Sequence, residues 1–222
     1  MVDSVEAAEV YQEAVDFMER QLGLRIPPEM REVPVLAVDL ASLNEQREKG
    51  SHGHEHGVVR GLTLSSYATV SHITPGLWSR DGYRSESRAV FRAETQREVT
   101  AVLVLVGMPR DLTASVLAHE AMHVYFKLTK HFPLHLSRQC EEGLCQLVAM
   151  RLLMTYLETI PTSSGSQSVF RRSLLRYSLH CIENDPSVDY GDGFRIAKKC
   201  FDALGLTVAL EHVALTGQLP VV

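Results

Sequence analysis

The segment His119-Glu120-Ala121-Met122-His123 constrains the fold more than any other, because its two histidines are four residues apart. In a helix this spacing places both imidazoles on one side, about one turn from each other. Glu142 follows on a second predicted helix, from which its carboxylate could reach the same ion. Two histidines and one carboxylate give a zinc ion three protein ligands and leave a fourth position for water. Glu120 would then be placed to take a proton from that water.

The residues before the motif predict a buried strand followed by a buried helix. Val99 to Val106 form a continuous apolar run, and Gly107-Met108-Pro109 ends it. Asp111 is a good N-cap for a helix predicted over residues 112 to 128. The histidines lie opposite an apolar stripe at helical spacing, formed by Leu117, Ala121, Val124 and Leu128.

Such a helix should be buried on both faces, with one face against the core and the other on a cleft. The alternative is a buried helix whose histidines are only hydrogen-bonded. That alternative is costly, because two histidines and an acid would be buried without partners or a metal.

The helix that carries Glu142 supports the same interpretation. Ser137 is a plausible N-cap, and an apolar face follows, made of Leu144, Leu147, Val148, Leu152 and Met154. A carboxylate in the first turn is also favoured by the helix dipole, so an acid without a ligand role is the alternative. Glu141 fits that simpler role better than Glu142. Gln146, one turn after Glu142, could hydrogen-bond a metal ligand.

Length and charge limit the class of protein. A chain of 222 residues can bury one good core, and we expect one domain over residues 1–222. Residues 1–110 would form a helix and a sheet, and residues 111–222 a helical part. The net charge of −5 gives no reason to expect nucleic acid or an anionic membrane as a partner. No apolar stretch approaches the length of a membrane span.

The N-terminal residues and the cysteines favour a cytoplasmic location. The first residues lack a signal-peptide pattern, and the four cysteines contain no CxxC pair. Cys140 and Cys145 lie in the predicted glutamate helix, where we expect them to pack as small apolar groups. A reducing, intracellular compartment is therefore the default.

The remaining pattern predicts an α+β fold with a small N-terminal mixed β-sheet and a mainly helical C-terminal half. The basic start of the helix at 168–183, with Arg171, Arg172 and Arg176, is interpreted as a solvated face, with a partner site as the alternative. The alternating histidines His52, His54 and His56 could bind a second metal, although such a run is more often a solvated loop. Strands are predicted at 34–40, 60–66, 67–73 and 89–93, and further helices at 4–22, 194–204 and 206–215.

Several stretches carry a resemblance to known families. A glutamate directly before a glycine, on the helix after HExxH, is similar to the gluzincin peptidases. The chain also resembles the peptidase region of the DA-one family, the LIM-domain, ubiquitin-activated peptidases that limit organ growth in plants. The stretches most particular to that family are Glu141-Glu142-Gly143-Leu144-Cys145-Gln146 and Tyr190-Gly191-Asp192-Gly193-Phe194-Arg195.

The resemblance implies a zincin fold of gluzincin type and a zinc endopeptidase that acts on protein substrates, often components of the ubiquitin system. It implies His119, His123 and Glu142 as the zinc ligands and Glu120 as the catalytic base. Plant members carry ubiquitin-interacting motifs and a LIM domain before this region, and neither is visible in this sequence. Control by ubiquitin therefore stays open, as does the substrate set.

The oxyanion of peptide hydrolysis needs a second donor besides the metal. Tyr190, in a Gly-rich loop, is the first candidate, and His180 is the second, although each taken alone is more often structural than catalytic. A strand of the sheet is expected to pair with an extended substrate. Two alternatives stay open. One is a non-enzymatic interaction module that keeps zinc for structure, against which the intact Glu120 argues. The other is a zinc aminopeptidase, for which no amine-anchoring motif is visible.

Overall fold

The computed structural model describes residues 3–49, 60–74, 90–161 and 165–222. The run of His52, His54 and His56 lies outside the described residues. Within them, helices and a small mixed sheet form the predicted α+β arrangement. The helices are α1 Ser4–Arg20, α2 Leu40–Lys49, α3 Arg110–Leu128, α4 Arg138–Thr159, α5 Ser166–Glu183, α6 Gly193–Leu204 and α7 Leu206–Thr216, and the strands are β1 Val35–Val38, β2 Gly61–Thr74 and β3 Val90–Leu105. A 3-10 helix spans Pro28–Glu32, and a π-helical turn spans Val188–Asp192.

The three described strands are ordered β1-β3-β2. β1 runs parallel to β3, with Val35 opposite Val102, and β2 runs antiparallel to β3, with Gly61 opposite Val104. The parallel pair places Val102 and Val104 in the core, where both are fully buried. This confirms a mixed sheet, and it leaves β2 as an edge strand.

Four of the predicted strands are halves of two longer ones. The segments predicted at 60–66 and 67–73 form the single strand β2, which has a bulge between Leu64 and Ser65. The segments predicted at 89–93 and 99–106 both belong to β3. A break between the segments at 89–93 and 99–106 was predicted because residues 94–98 are polar, and this prediction was wrong. Ladder hydrogen bonds are made by the backbone, so pairing continues through a polar stretch.

α3 is the central helix of the described core and packs against α1, α4 and β3. Its residues Leu117, Ala118, Ala121, Met122 and Val124 are fully buried. The prediction that this helix is buried on both faces is confirmed. Burial of each large side chain contributes roughly 1.5–3 kcal/mol, so the helix that carries the histidines is strongly anchored.

The beginning of α3 differs from the prediction. The helix begins at Arg110 with Pro109 at the N-cap position, so Asp111 lies inside the first turn. Asp111 is 7% exposed, and its two carboxylate oxygens accept hydrogen bonds from Arg171 Nε (2.6 Å) and Nη2 (2.8 Å). The N-cap prediction for Asp111 was therefore wrong, because the ion pair to α5 occupies both oxygens. Arg171 thus takes part in a contact between helices, while its side chain stays 45% exposed, as expected of a solvated face.

The glycines of the two family-like stretches allow α4 and α6 to touch. A Cβ at Gly143 would collide with the backbone of Gly193, and a Cβ at Gly193 would collide with the carbonyl of Gln139. Only glycine permits two helices to approach this closely at these positions. The Tyr190 turn, which precedes α6 directly, is thereby held against the start of α4. Among the described helices, none is long and apolar enough to cross a bilayer.

Candidate metal centre

Three polar side-chain atoms from α3 and α4 lie within 3.4 Å of one another. His119 Nε2 lies 3.2 Å from His123 Nε2 and 3.2 Å from Glu142 Oε2. His123 Nε2 lies 3.4 Å from the same carboxylate oxygen. In tetrahedral zinc sites the ligand bonds of about 2.0–2.1 Å place ligand atoms roughly 3.3 Å apart. The triangle of donor atoms thus has the dimensions of three corners of a zinc coordination tetrahedron.

The carboxylate oxygen at this point is unsatisfied by the protein. Glu142 is 6% exposed, and its Oε2 atom is buried without a properly oriented hydrogen-bond donor. Burial would raise the pKa of the Glu142 carboxyl, but the charge of His123 and the contact with His119 outweigh it and hold the pKa well below its usual range. A buried carboxylate oxygen without an aligned hydrogen-bond donor is costly. A metal ion between the three atoms would remove that cost, so the residues fit a metal.

Glu141 orients one of the two imidazoles. Its Oε1 atom lies 2.8 Å from His123 Nδ1 and 3.5 Å from Lys127 Nζ. Burial opposes ionisation of Glu141, but the hydrogen bond and charge of His123, together with Lys127, lower its pKa to about 2. An ionised Glu141 accepts the proton on Nδ1, which leaves His123 Nε2 free to bind a metal. From the sequence, Glu141 was assigned only the role of an acid at a helix N-terminus. The spacing of residues along one helix does not reveal a contact with a histidine on another.

Cys145 lies beside the same centre. Its Sγ atom and ring nitrogens of His119 and His123 all lie within 4.8 Å of one another. The predicted burial of Cys145 is confirmed, but its proximity to the imidazoles was missed. Burial raises the pKa of the Cys145 thiol to about 12, a value that holds for the centre without a bound metal. Glu142 Oε2, at 3.2 Å and 3.4 Å from the two imidazole nitrogens, and Cys145 Sγ are thus the two candidates for a third ligand.

The carboxylate of Glu120 is held by the edge strand β2. Thr63 Oγ1 donates a hydrogen bond to Glu120 Oε2 at 2.7 Å. A Cβ at Gly61 would lie 2.7 Å from Glu120 Oε1 and 2.6 Å from Val116 Cγ1, so glycine lets the strand pass close to the acid. The sequence alone assigns no role to Gly61 or Thr63. The Thr63 hydroxyl and the absent Cβ of Gly61 matter only because β2 packs on α3, which a single sequence does not show.

Of the two predicted oxyanion donors, the structure brings only Tyr190 to the centre. The Tyr190 ring stacks on His119, with centroids 6.2 Å apart and an interplanar angle of 21°. Burial and the charge of Glu142 raise the pKa of Tyr190 well above its ordinary value, so the phenol keeps its proton as a donor. His180 lies on the exposed side of α5, where its Nδ1 atom is 3.0 Å from Asn184 Nδ2.

The metal centre opens into a large cavity of about 1030 Å³. His119, Glu120 and Tyr190 line it, and so does Gln146, which was predicted to assist a ligand. His180 is not part of its lining. The other walls come from the beginning of β2, from α5 and from residues 185–189. A substrate that fills the cavity would therefore touch the candidate base and the candidate donor together.

Comparison with known proteins connects this centre with a family. A family model described as "DA1-like: Protein DA1" matches residues 23–216 of the chain. This chain belongs to the DA1-like family. The match includes every residue of the metal centre, both glycines of the contact between α4 and α6, and the Tyr190 turn. The resemblance stated from the sequence motifs is thereby confirmed.

Curated relatives support the same assignment. The chain is 37% identical to Protein DA1 of Arabidopsis thaliana, with all of the chain and 43% of the relative aligned. It is 35% identical to Protein DA1-related 1 of the same plant (99% of the chain, 42% of the relative). It is 33% identical to the LIM domain-containing protein HDR3 of Oryza sativa subsp. japonica (100% of the chain, 48% of the relative). The chain thus spans less than half the length of these relatives. The comparison with solved structures gives no match.

Proposed function

We propose that this chain is a zinc-dependent endopeptidase that hydrolyses peptide bonds of protein substrates, with a gluzincin-like arrangement of its ligands. The observation that carries the proposal is the triangle of His119 Nε2, His123 Nε2 and Glu142 Oε2, with sides of 3.2–3.4 Å. Three ligands of this kind leave a fourth position for water. The carboxylate of Glu120 lies on the same helix and lines the same cavity, where hydrolysis requires a base.

Bound zinc would supply a Lewis acid and a water of lowered pKa at the fourth position. Glu120 is placed to accept a proton from the attacking water and to deliver it to the leaving amine. Thr63 holds one carboxylate oxygen of Glu120, which restricts the rotation of the base. Tyr190 keeps its phenolic proton beside His119 and is our candidate for the hydrogen bond to the oxyanion. His180 has no part in this scheme, since it lies outside the cavity.

The edge strand β2 suggests how a substrate binds. Its first residues contact Glu120, and in the described sheet its outer edge pairs with no other strand. An extended peptide could add to this edge through backbone hydrogen bonds. Such pairing would place a peptide carbonyl near the metal centre without requiring a free terminus, which favours an endopeptidase over an aminopeptidase.

The proposed partners and location rest on the family and the sequence, not on the geometry of the site. From the family resemblance we propose protein substrates of the ubiquitin system, and we propose ubiquitin itself as a binding partner. A cytoplasmic site of action stays a prediction from the sequence. The oligomeric state is left open.

One observation favours a second candidate function, a non-catalytic module that keeps zinc for structure. Cys145 lies beside the two imidazoles, and a fourth protein ligand would close the coordination sphere to water. Cobalt(II) substitution separates the two candidates, because a thiolate ligand adds a strong near-ultraviolet charge-transfer band. Our proposal expects no such band, and its appearance would favour the structural module.

Digestion of an unfolded protein tests the proposed activity. The zinc-loaded chain should cut it at internal positions, and the metal-stripped chain should not cut it. Peptides blocked at the N-terminus should be cleaved as well as free ones, whereas an aminopeptidase would require the free amine. Parallel reactions with added ubiquitin test the proposed regulation. Complete inactivity of the zinc-loaded chain under all these conditions would contradict the proposal.

A further inference from the structure

We infer that the part of the cavity between α3 and α5 is a subsite for a large apolar side chain of the peptide substrate. We call this part the α3–α5 subsite and define it by Leu112 and Val116 of α3 and by Leu174, Tyr177 and Cys181 of α5. The inference rests on the proposed function, because it concerns the residue that a substrate presents beside the cleaved bond.

The subsite continues directly from the metal centre along α3. Leu112 and Val116 precede His119 by about two turns and one turn of the helix, so they share the face that carries the candidate ligands. Both side chains are only partly buried. The face of α3 that presents its imidazoles to the cavity therefore becomes apolar toward the beginning of the helix.

The opposite wall is largely apolar, and the hydroxyl of its polar member Ser178 donates to the Leu174 carbonyl within α5. Leu174, Tyr177 and Cys181 recur at helical spacing on α5, and no charged side chain of α5 belongs to the described lining of the cavity. Tyr177 is 66% exposed, although an aromatic ring of this size gains free energy from burial. The chain thus keeps apolar surface open on both sides of the cavity, a few residues from its candidate base.

The size and position of the cavity indicate the occupant. A metal-bound water needs only a small fraction of about 1030 Å³, a volume in the range of sites that enclose whole ligands. Arg60 and Gly61, where β2 begins, lie on the same cavity. A peptide paired with β2 would direct every second side chain to one face. An aliphatic or aromatic side chain would cover both walls, whereas a carboxylate would lose hydration against them. Arg60 lines the cavity near Tyr177, but it is exposed, so it would attract that carboxylate only weakly.

Cleavage-site profiling tests the subsite in the active protein. A mixture of peptides is digested by the wild type and by Tyr177→Ala, and the residues beside each cut are read by mass spectrometry. The wild type should favour a large apolar residue on one side of the cut. Tyr177→Ala should lower kcat/KM for those peptides by roughly tenfold, mainly through KM, and Tyr177→Phe should restore it.

Phe170→Ala is the matched control. Phe170 is also an aromatic residue of α5 and is 67% exposed, but it does not line the cavity. Its removal should leave the cleavage profile unchanged. An unaltered profile in Tyr177→Ala, or an equal change in both variants, would overturn the inference.

Thiol labelling tests the same subsite without catalysis. Cys181 is the one exposed cysteine of the four in the chain, and the other three are buried, so iodoacetamide should alkylate Cys181 first. We would use the zinc-loaded Glu120→Gln variant and two blocked peptides that differ only in one central Phe or Asp. The Phe peptide should slow alkylation saturably, and the Asp peptide should not.

These readouts separate the two proposals. Protection of Cys181 by the Phe peptide, together with a zinc-loaded wild type that cleaves nothing, would support the subsite and reject the peptidase. Cleavage with no protection, and with the profile of Tyr177→Ala unchanged, would retain the peptidase and reject the subsite. Equal protection by both peptides would also reject it.

Discussion

Glu120 meets a hydroxyl group on the strand that crosses it. The bond from Thr63 Oγ1 is 2.7 Å long, and hydrogen bonds to charged groups contribute about 1.5–3 kcal/mol. We therefore expect Thr63→Val to lower kcat roughly tenfold or more while zinc content stays full. Thr63→Ser keeps the hydroxyl and should retain most of the activity. Steady-state kinetics at matched zinc content measure both, and wild-type kcat in Thr63→Val would remove Thr63 from the mechanism.

Glu142 and Cys145 compete for the role of third ligand, and metal analysis after dialysis distinguishes them. Glu142→Ala should lose most of its zinc, because two imidazoles alone hold the ion weakly. Cys145→Ser should keep one zinc per chain, because Glu142 Oε2 lies 3.2–3.4 Å from both imidazole nitrogens and completes the three ligands without the thiol. Full stoichiometry in Glu142→Ala together with loss in Cys145→Ser would reverse the assignment.

At the residue scale, the sequence predicts side chains whose chemistry follows from local spacing. His119 and His123 are four residues apart, and Glu142 directly precedes a glycine, so both patterns are visible without a structure. The contacts of Glu141 with His123 and of Thr63 with Glu120 join residues on different elements. Single-sequence periodicity carries no information on such pairs, since packing alone brings them together.

At the scale of elements, the contact between α4 and α6 determines where the Tyr190 turn lies. Gly143→Ala would bring a Cβ against the backbone of Gly193, which cannot rotate away as a side chain can. We expect this variant to unfold more easily by at least about 2 kcal/mol, measured by urea denaturation.

Gly165→Ala is the matched control for that change. Among the described residues, no atom beyond its chain neighbours lies within 4 Å of a Cβ built at Gly165, and its φ is −92°. Its free energy of unfolding should differ from the wild type by less than about 1 kcal/mol. Similar stability in the two variants would show that the helices can separate without cost.

Element types follow from the sequence more readily than element boundaries. α6 and α7 are separated at Gly205 as predicted, because a glycine with φ of 78° ends the first helix there. The extent of β2 and β3 could not be predicted, because backbone pairing continues where the apolar pattern stops. The N-cap prediction for Asp111 was wrong because its carboxylate binds Arg171 of α5, a contact that the local sequence does not reveal.

At the scale of the whole molecule, a bound ion would connect α3 with α4 through the core. Zinc at a hundred times its dissociation constant stabilises a folded chain by about 2.7 kcal/mol. For a chain of this length such a gain raises the melting temperature by roughly 5–10 °C. Thermal unfolding with zinc and after chelation should show this difference in the wild type and much less of it in Glu142→Ala. Equal shifts in both would place the bound zinc elsewhere.

The most direct test of the central claim compares the initial rates of peptide cleavage by the wild type and by Glu120→Gln at equal zinc occupancy. The amide preserves the shape of the side chain but cannot accept the proton, and a positioned base contributes roughly a hundredfold to ten-thousandfold in rate. We predict full zinc content in Glu120→Gln together with a loss of cleavage of that size. Undiminished turnover in this variant would show that the metal centre does not use Glu120 as its base.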